Sequence, residues 1–112
     1  MKKVFISVPR KGRSSEDIEK SIKILKAFTS AYEDDELEFI VPVYKDDKEL
    51  YNLGKSIVLL QDTDVFVGVR QDADYTDCYI QSITAYKYSI KKYTFSLYDV
   101  CPDLRTHNNK VN

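Results

Sequence analysis

The chain of 112 residues contains no tryptophan, and glycine (three), proline (three), cysteine (two), methionine (one) and histidine (one) are all scarce. So little glycine and proline excludes collagen-like and Pro/Gly-rich disordered classes. The two cysteines, Cys78 and Cys101, fit no metal-ligand spacing and are too few for the disulfide framework of a small secreted domain. No metal, no cofactor and a reducing cytoplasmic setting are therefore expected. The lone His107 stands in a polar C-terminal stretch and is assigned no chemistry. Charge of one sign is also missing: 17 basic against 18 acidic residues leave a net charge of -1, which gives no general attraction to nucleic acid or to an anionic membrane. No apolar run approaches the roughly 20 residues that span a bilayer, and no charged n-region precedes one. Neither nucleic acid nor membrane is expected as a partner.

What is present is 43% hydrophobic residues, enough for one core but not two in a chain of this length. Lys2 to Ser7 reads as a buried strand because Val4, Phe5 and Ile6 form an unbroken apolar run. Ser14 or Ser15 caps a helix that starts with Glu16 and Asp17, and Ile18, Ile22, Leu25, Thr29 and Tyr32 recur at helical spacing. The acidic segment Glu33 to Glu36 reads as a solvated connection. Leu37 to Val41 resumes strand character up to Pro42, and Asp46 and Asp47 punctuate the loop that follows. Leu50, Leu53, Ile57 and Leu60 mark a second helix ending near Gln61 and Asp62.

Val65 to Val69 is the most strand-like run, and Asp64 is expected to shape the turn into it. A third helix is expected with Thr76 as its cap. In it Tyr79, Ile83, Tyr86 and Ile90 make an apolar stripe beside the small residues Cys78, Ser82, Ala85 and Ser89. Tyr93 to Tyr98 is the fourth strand. The aperiodic stretch 101–112 is expected to be an irregular, mobile C-terminal tail behind a 1–100 domain. Strands alternating with helices predict a single three-layer α/β domain: a mostly parallel sheet of four or five strands, order 2-1-3-4, with helices on both faces. That order brings the loops after the first and third strands to one crevice.

Lys3-Val4-Phe5-Ile6-Ser7-Val8-Pro9 with Gly12 and Ser14, Phe39-Ile40-Val41-Pro42-Val43, and Leu53-Gly54-Lys55-Ser56-Ile57 with Leu59, Leu60 and Asp64 follow in an order and spacing that resemble the small nucleoside 2-deoxyribosyltransferase-like proteins of phages and bacteria. The resemblance extends to Ser89. It implies cleavage of the N-glycosidic bond of a 2-deoxynucleoside or its monophosphate by a glutamate nucleophile on the third helix, which is retaining glycosyl chemistry. In Asp77-Cys78-Tyr79-Ile80-Gln81, with Ala85 following, that position holds Gln81, and Asp77 replaces a helix-start glycine. A carboxamide forms no glycosyl ester. The reading is thus a protein that binds a nucleoside, nucleotide or nucleotide-derived molecule with glycosyl transfer lost or weak. A fainter similarity to Toll/interleukin-1 receptor domains, carried by Val4-Phe5-Ile6-Ser7 and the same helix start, also meets glutamine where their NAD-cleaving members place a glutamate.

Arg10, Lys11 and Arg13 lie between a strand end and a helix start, where an anion is favoured. Ser7 and Pro9 of the opening motif, Gly54 of the middle helix, and Tyr75 and Asp77 before the third helix complete the candidate ligand-binding set. Asp72 and Asp74 are candidates to activate water if hydrolysis survives. Tyr79, Tyr86, Tyr88 and Tyr93 offer contact area for a homodimer or higher homo-oligomer, an assembly the resemblance also implies. The alternatives are an active N-glycoside hydrolase working through another acidic residue, and a non-catalytic partner-binding protein.

Overall fold

A computed structural model describes residues 1–45, 48–71 and 73–109, with side chains through residue 105. Asp46, Asp47 and Asp72 lie outside the described residues, as does the side chain of His107. The strands β1 (Lys2–Ile6), β2 (Leu37–Ile40), β3 (Val65–Val69) and β4 (Lys91–Phe95) form an all-parallel sheet in the order β2-β1-β3-β4. The helices are α1 (Ser15–Tyr32), α2 (Glu49–Leu59, continued by a 3₁₀ turn at Leu60–Asp62), α3 (Thr76–Lys87), α4 (Leu97–Val100) and α5 (Pro102–Asn109).

Unbroken apolar strands are what a sheet covered on both faces requires, and alternation sorts them. Val4, Ile6, Val65 and Val67 meet Ile22 and Leu25 of α1, Val100 of α4 and Leu104 of α5. Phe5 and Phe66, adjacent in register and stacked at 5.7 Å, point the other way against Ile57, Leu60 and Ala85. Helix α1 starts where the sequence predicts. Gly12 turns the chain at φ +74°, and the Ser14 hydroxyl accepts the Asp17 N–H at 3.1 Å. Asp64 accepts the Lys3 N–H at 2.8 Å, tying the entry of β3 to β1.

Four expectations are corrected. Glu33 is no solvated linker: it is the C-cap of α1, buried beneath the amino ends of the strands. Its carboxylate accepts from Lys2 Nζ (2.8 Å), Lys91 Nζ (2.9 Å) and the Tyr93 hydroxyl (2.6 Å). Those bonds, the one from Lys2 foremost, hold its pKa down at about 2. The strand expected over Tyr93 to Tyr98 runs instead over Lys91–Phe95, because Ser96 starts α4 and its carbonyl accepts from Asp99 and Val100. The expected irregular tail contains α5. A helix of two turns is too short for periodicity to reveal, but Pro102 suits a first helical position, Cys101 is fully buried, and Asp103 is held by Arg13.

The fourth correction concerns α3. Its cap position is Tyr75, not Thr76, and no side chain closes it. Its buried residues are Cys78, Gln81, Ser82 and Ala85, whereas Tyr79, Ile83 and Tyr86 are exposed. Small side chains let α3 lie close on β3, so packing distance rather than hydrophobicity chose the inner face. The helix ends in a Schellman arrangement, with Ile90 N–H on Ala85 O, Ser89 N–H on Tyr86 O, and Ser89 at φ +58° where glycine is usual.

Candidate functional site

The carboxyl ends of β1, β2 and β3 bring three loops and the start of α3 to one place. Ser7, the residue after β1, donates its hydroxyl to Gln81 Oε1 at 2.7 Å. The Gln81 amide in turn donates to Ser56 Oγ of α2 at 2.9 Å and to the Tyr44 hydroxyl at 3.0 Å. Ser56 already donates to Leu53 O at 2.7 Å, so toward Gln81 it can only accept. This fixes which end of the carboxamide carries nitrogen. Gln81 is 2% exposed and joins four elements through uncharged groups alone. Gly68 makes room for the arrangement, since a Cβ there would stand 3.2 Å from the Phe66 ring and 3.5 Å from Ser7 Cβ.

Tyr44 closes the network on its outer side. The Arg10 guanidinium lies 4.1 Å from the Tyr44 ring centroid and donates to Pro42 O at 3.2 Å, clamping the loop after β2. Burial, then the negative charge of Asp77, pushes the Tyr44 phenol up to about 12. Tyr44 is therefore a neutral hydrogen-bonding group and not a base at physiological pH. Burial also lowers the Arg10 pKa from its ordinary value.

Beyond Tyr44 opens a cavity of about 500 Å³ that carries both signs of charge: Arg10, Lys11 and Lys45 against Glu49, Asp74 and Asp77. Tyr75, Asn52 and Cys78 contribute neutral surface. Asn52 holds the Tyr44-Lys45 segment by a paired bond to the backbone of Lys45, at 3.0 Å and 2.6 Å. A larger concavity, about 930 Å³, lies elsewhere, between Phe39 to Val43 and the outer side of α2, and it is apolar.

The residues singled out in the sequence thus separate. Arg10, Lys11, Asp74, Tyr75 and Asp77 share the cavity. Arg13 borders it, but its side chain is 1% exposed and engaged with Asp103 (2.8 Å), Ser21 Oγ (2.7 Å) and Pro9 O (2.7 Å), so its charge anchors α5. Asp103 is held below its ordinary pKa by the hydrogen bond from Arg13. Pro9 is buried and serves as that acceptor. Ser7 and Gln81 lie beneath the cavity, behind Tyr44. Gly54 lies in the apolar groove, where a side chain would meet nothing within 4 Å. Asp72 is outside the described residues. Sequence reasoning missed Tyr44, Lys45, Glu49 and Asn52. The available signal was topological, since a 2-1-3-4 order sets the loop after β2 beside the loop after β1.

Among the described residues no three His, Cys, Asp or Glu side chains gather to hold a metal ion, and no helix is long and apolar enough to cross a membrane. No protein-family model, curated protein or solved structure matches the chain.

Proposed function

We propose that the cavity binds a nucleoside, a nucleotide or a nucleotide-derived molecule and does not efficiently cleave it. One observation carries this reading. At the position where the resemblance calls for a nucleophile, Gln81 has its carbonyl and both amide hydrogens committed to Ser7, Ser56 and Tyr44. A carboxamide so engaged has no carboxylate to attack with and is closed off at 2% exposure, and loss of a covalent nucleophile removes orders of magnitude in rate. The volume above it lies within the range of small-molecule sites, about 300–1,000 Å³. Arg10, Lys11 and Lys45 suit a phosphate, and Asp74 and Asp77 suit sugar hydroxyls or the amino group of a base.

The test pairs binding with turnover. Thermal unfolding followed against deoxynucleosides, deoxynucleoside monophosphates and NAD-derived compounds is expected to show a rise in Tm for at least one phosphorylated ligand, since a ligand at about 100 times its Kd adds roughly 2.7 kcal/mol. Arg10→Ala should abolish that rise. Free-base release by the wild type is expected to stay at background. Wild-type release would instead support the hydrolase reading, with Asp72 or Asp74 as the candidate to activate water. No Tm shift with any ligand overturns both.

A further inference from the structure

We propose that the edge of β2 and the apolar groove beside it receive an extended peptide segment of a partner protein, which joins the sheet as a fifth strand. The backbone sets up the site. Lys2 N–H bonds Glu36 O at 2.9 Å, and along a strand the N–H and C=O of successive residues turn to opposite sides. Glu36, Glu38 and Ile40 therefore face β1, while Leu37, Phe39 and Val41 turn their polar groups outward. Pro42 O, which accepts from Arg10 of the loop after β1, keeps the same alternation. The N–H that proline lacks is thus not one of the outward row. Among the described residues no strand lies beyond β2.

That row forms one wall of the groove of about 930 Å³. The other wall is the outer side of α2, where Tyr51 is 49%, Val58 68% and Leu59 38% exposed. Between the walls Gly54 leaves open space. An apolar small molecule or lipid chain would strip water from the N–H and C=O of Phe39 and Val41 and return no bond, which is costly. A helix brings no free backbone groups along its length. An extended peptide supplies both donors and acceptors, at about 3.3 Å per residue over the roughly 20 Å from Leu37 to Val43. Its alternate side chains on the α2 face enter the space beside Gly54 and Val58. A second copy of β2 does not fit, because its Ile40 already shares a cluster with Ile57 of its own α2 on that face, and the two helices would claim one space. Charge sets the ends. Glu36 and Glu38 are exposed at the start of β2, whereas Lys45 and Lys55 flank Tyr51 at its finish, their ammonium groups 5.9 Å and 5.4 Å from the ring centroid. The partner segment is thus basic at one end, acidic at the other and alternately apolar between.

Fluorescence anisotropy with the full chain tests this. The probes are fluorescein-labelled peptides of about nine residues, with valine, isoleucine or leucine at alternate central positions, threonine between, arginines at one end and glutamates at the other. Each is made with its reversed sequence to address both strand directions. At least one is expected to bind saturably, with a Kd on the order of 10–100 μM. N-methylation of that peptide at alternate amides should separate two sets: the one facing β2 should weaken binding at least about tenfold, and the one facing away should not. Val58→Glu, on the exposed groove wall, should weaken binding about tenfold with an unchanged melting curve. Failure of every peptide to bind overturns the proposal, as does binding that responds equally to both sets of N-methyl groups. A Val58→Glu chain that binds with wild-type affinity overturns it as well, since the peptide then sits elsewhere.

Discussion

At the amino end of the sheet the buried polar group is Glu33, and at the carboxyl end it is Gln81. Each gathers three donor or acceptor partners from distant parts of the chain. Around Glu33 stand two ammonium groups and a phenol. Around Gln81 stand three hydroxyls, with no cation in contact. The two side chains differ by one heavy atom, yet the surroundings dictate opposite protonation chemistry. A carboxylate under the amino ends is neutralised by cations in direct contact, whereas a carboxylate at position 81 would touch hydroxyls only, with the Arg10 guanidinium stacked on Tyr44 and the Asp77 charge beside Tyr44 opposing it. The nest around Gln81 is thus the one less suited to a charge.

The strongest way to break this comparison is Gln81→Glu. A buried charge without a countercharge costs about 3 kcal/mol or more, so the variant should unfold in markedly less urea than the wild type at pH 8. Its carboxyl pKa should lie above the unfolded value. The deficit therefore grows as pH rises and shrinks toward pH 5, where the group is increasingly protonated. Equal stability at pH 8 would mean that hydroxyls alone suffice. Base release by Gln81→Glu, absent in the wild type, would further show that the nest still accommodates a nucleophile.

The next effect comes from deleting one phenol at each end. Tyr93→Phe removes a hydrogen bond to a carboxylate and should cost about 2 kcal/mol, while Tyr44→Phe removes the acceptor of the Gln81 amide and should cost about 1 kcal/mol. Chemical denaturation of the pair gives the ratio directly, and a reversal of their order would undo the assignment of the directly ion-paired nest to the Glu33 end. For Glu33 the pKa falls from an ordinary 4.5 to about 2 in the folded state. Its contribution is then complete above the ordinary value and is lost as pH falls toward 2. Glu33→Gln should flatten that part of the stability profile, so that mutant and wild type converge at the acid limit. A control far from both nests gives the smallest change: Ser89→Gly should raise stability by about 0.5–1 kcal/mol, because φ +58° strains any side chain.

The parallel sheet and its strand order were legible because Val4–Ile6 and Val65–Val69 carry period and composition within themselves. The inner face of α3 was legible only in part: the small residues Cys78, Ser82 and Ala85 stood out as a line, but nothing in the sequence ranked it above the apolar stripe or put Gln81 within it. Tyr79, Ile83 and Tyr86 win on hydrophobicity, but the space between α3, α2 and β4 admits only small side chains and one amide, and that limit belongs to the assembled layers. Glu33 was misread for a related reason: an acidic run looks solvated until Lys2 and Lys91, distant in sequence, arrive beside it. Arg10, Lys11, Asp74, Tyr75 and Asp77, singled out from position at strand ends and the helix start, line one cavity. Tyr44 was missed because the loop after β2 was read as a connection alone. Arg13 carried the right charge in the right loop, and only the structure reveals that Asp103 and Pro9 engage it.

The placement of β1 has a consequence for how the protein is made. Of the four strands of the sheet it is synthesised first, yet both of its neighbours come later, β2 from residue 37 and β3 from residue 65. Until then Val4, Phe5 and Ile6 stand between two unpaired edges, and no local hairpin can shelter them. Parallel pairing over such separations is slow compared with helix formation. The nascent chain should therefore hold α1 against β1 as its first compact unit and remain most prone to aggregation until β3 is added, which makes the β1–β3 seam the step on which folding yield depends.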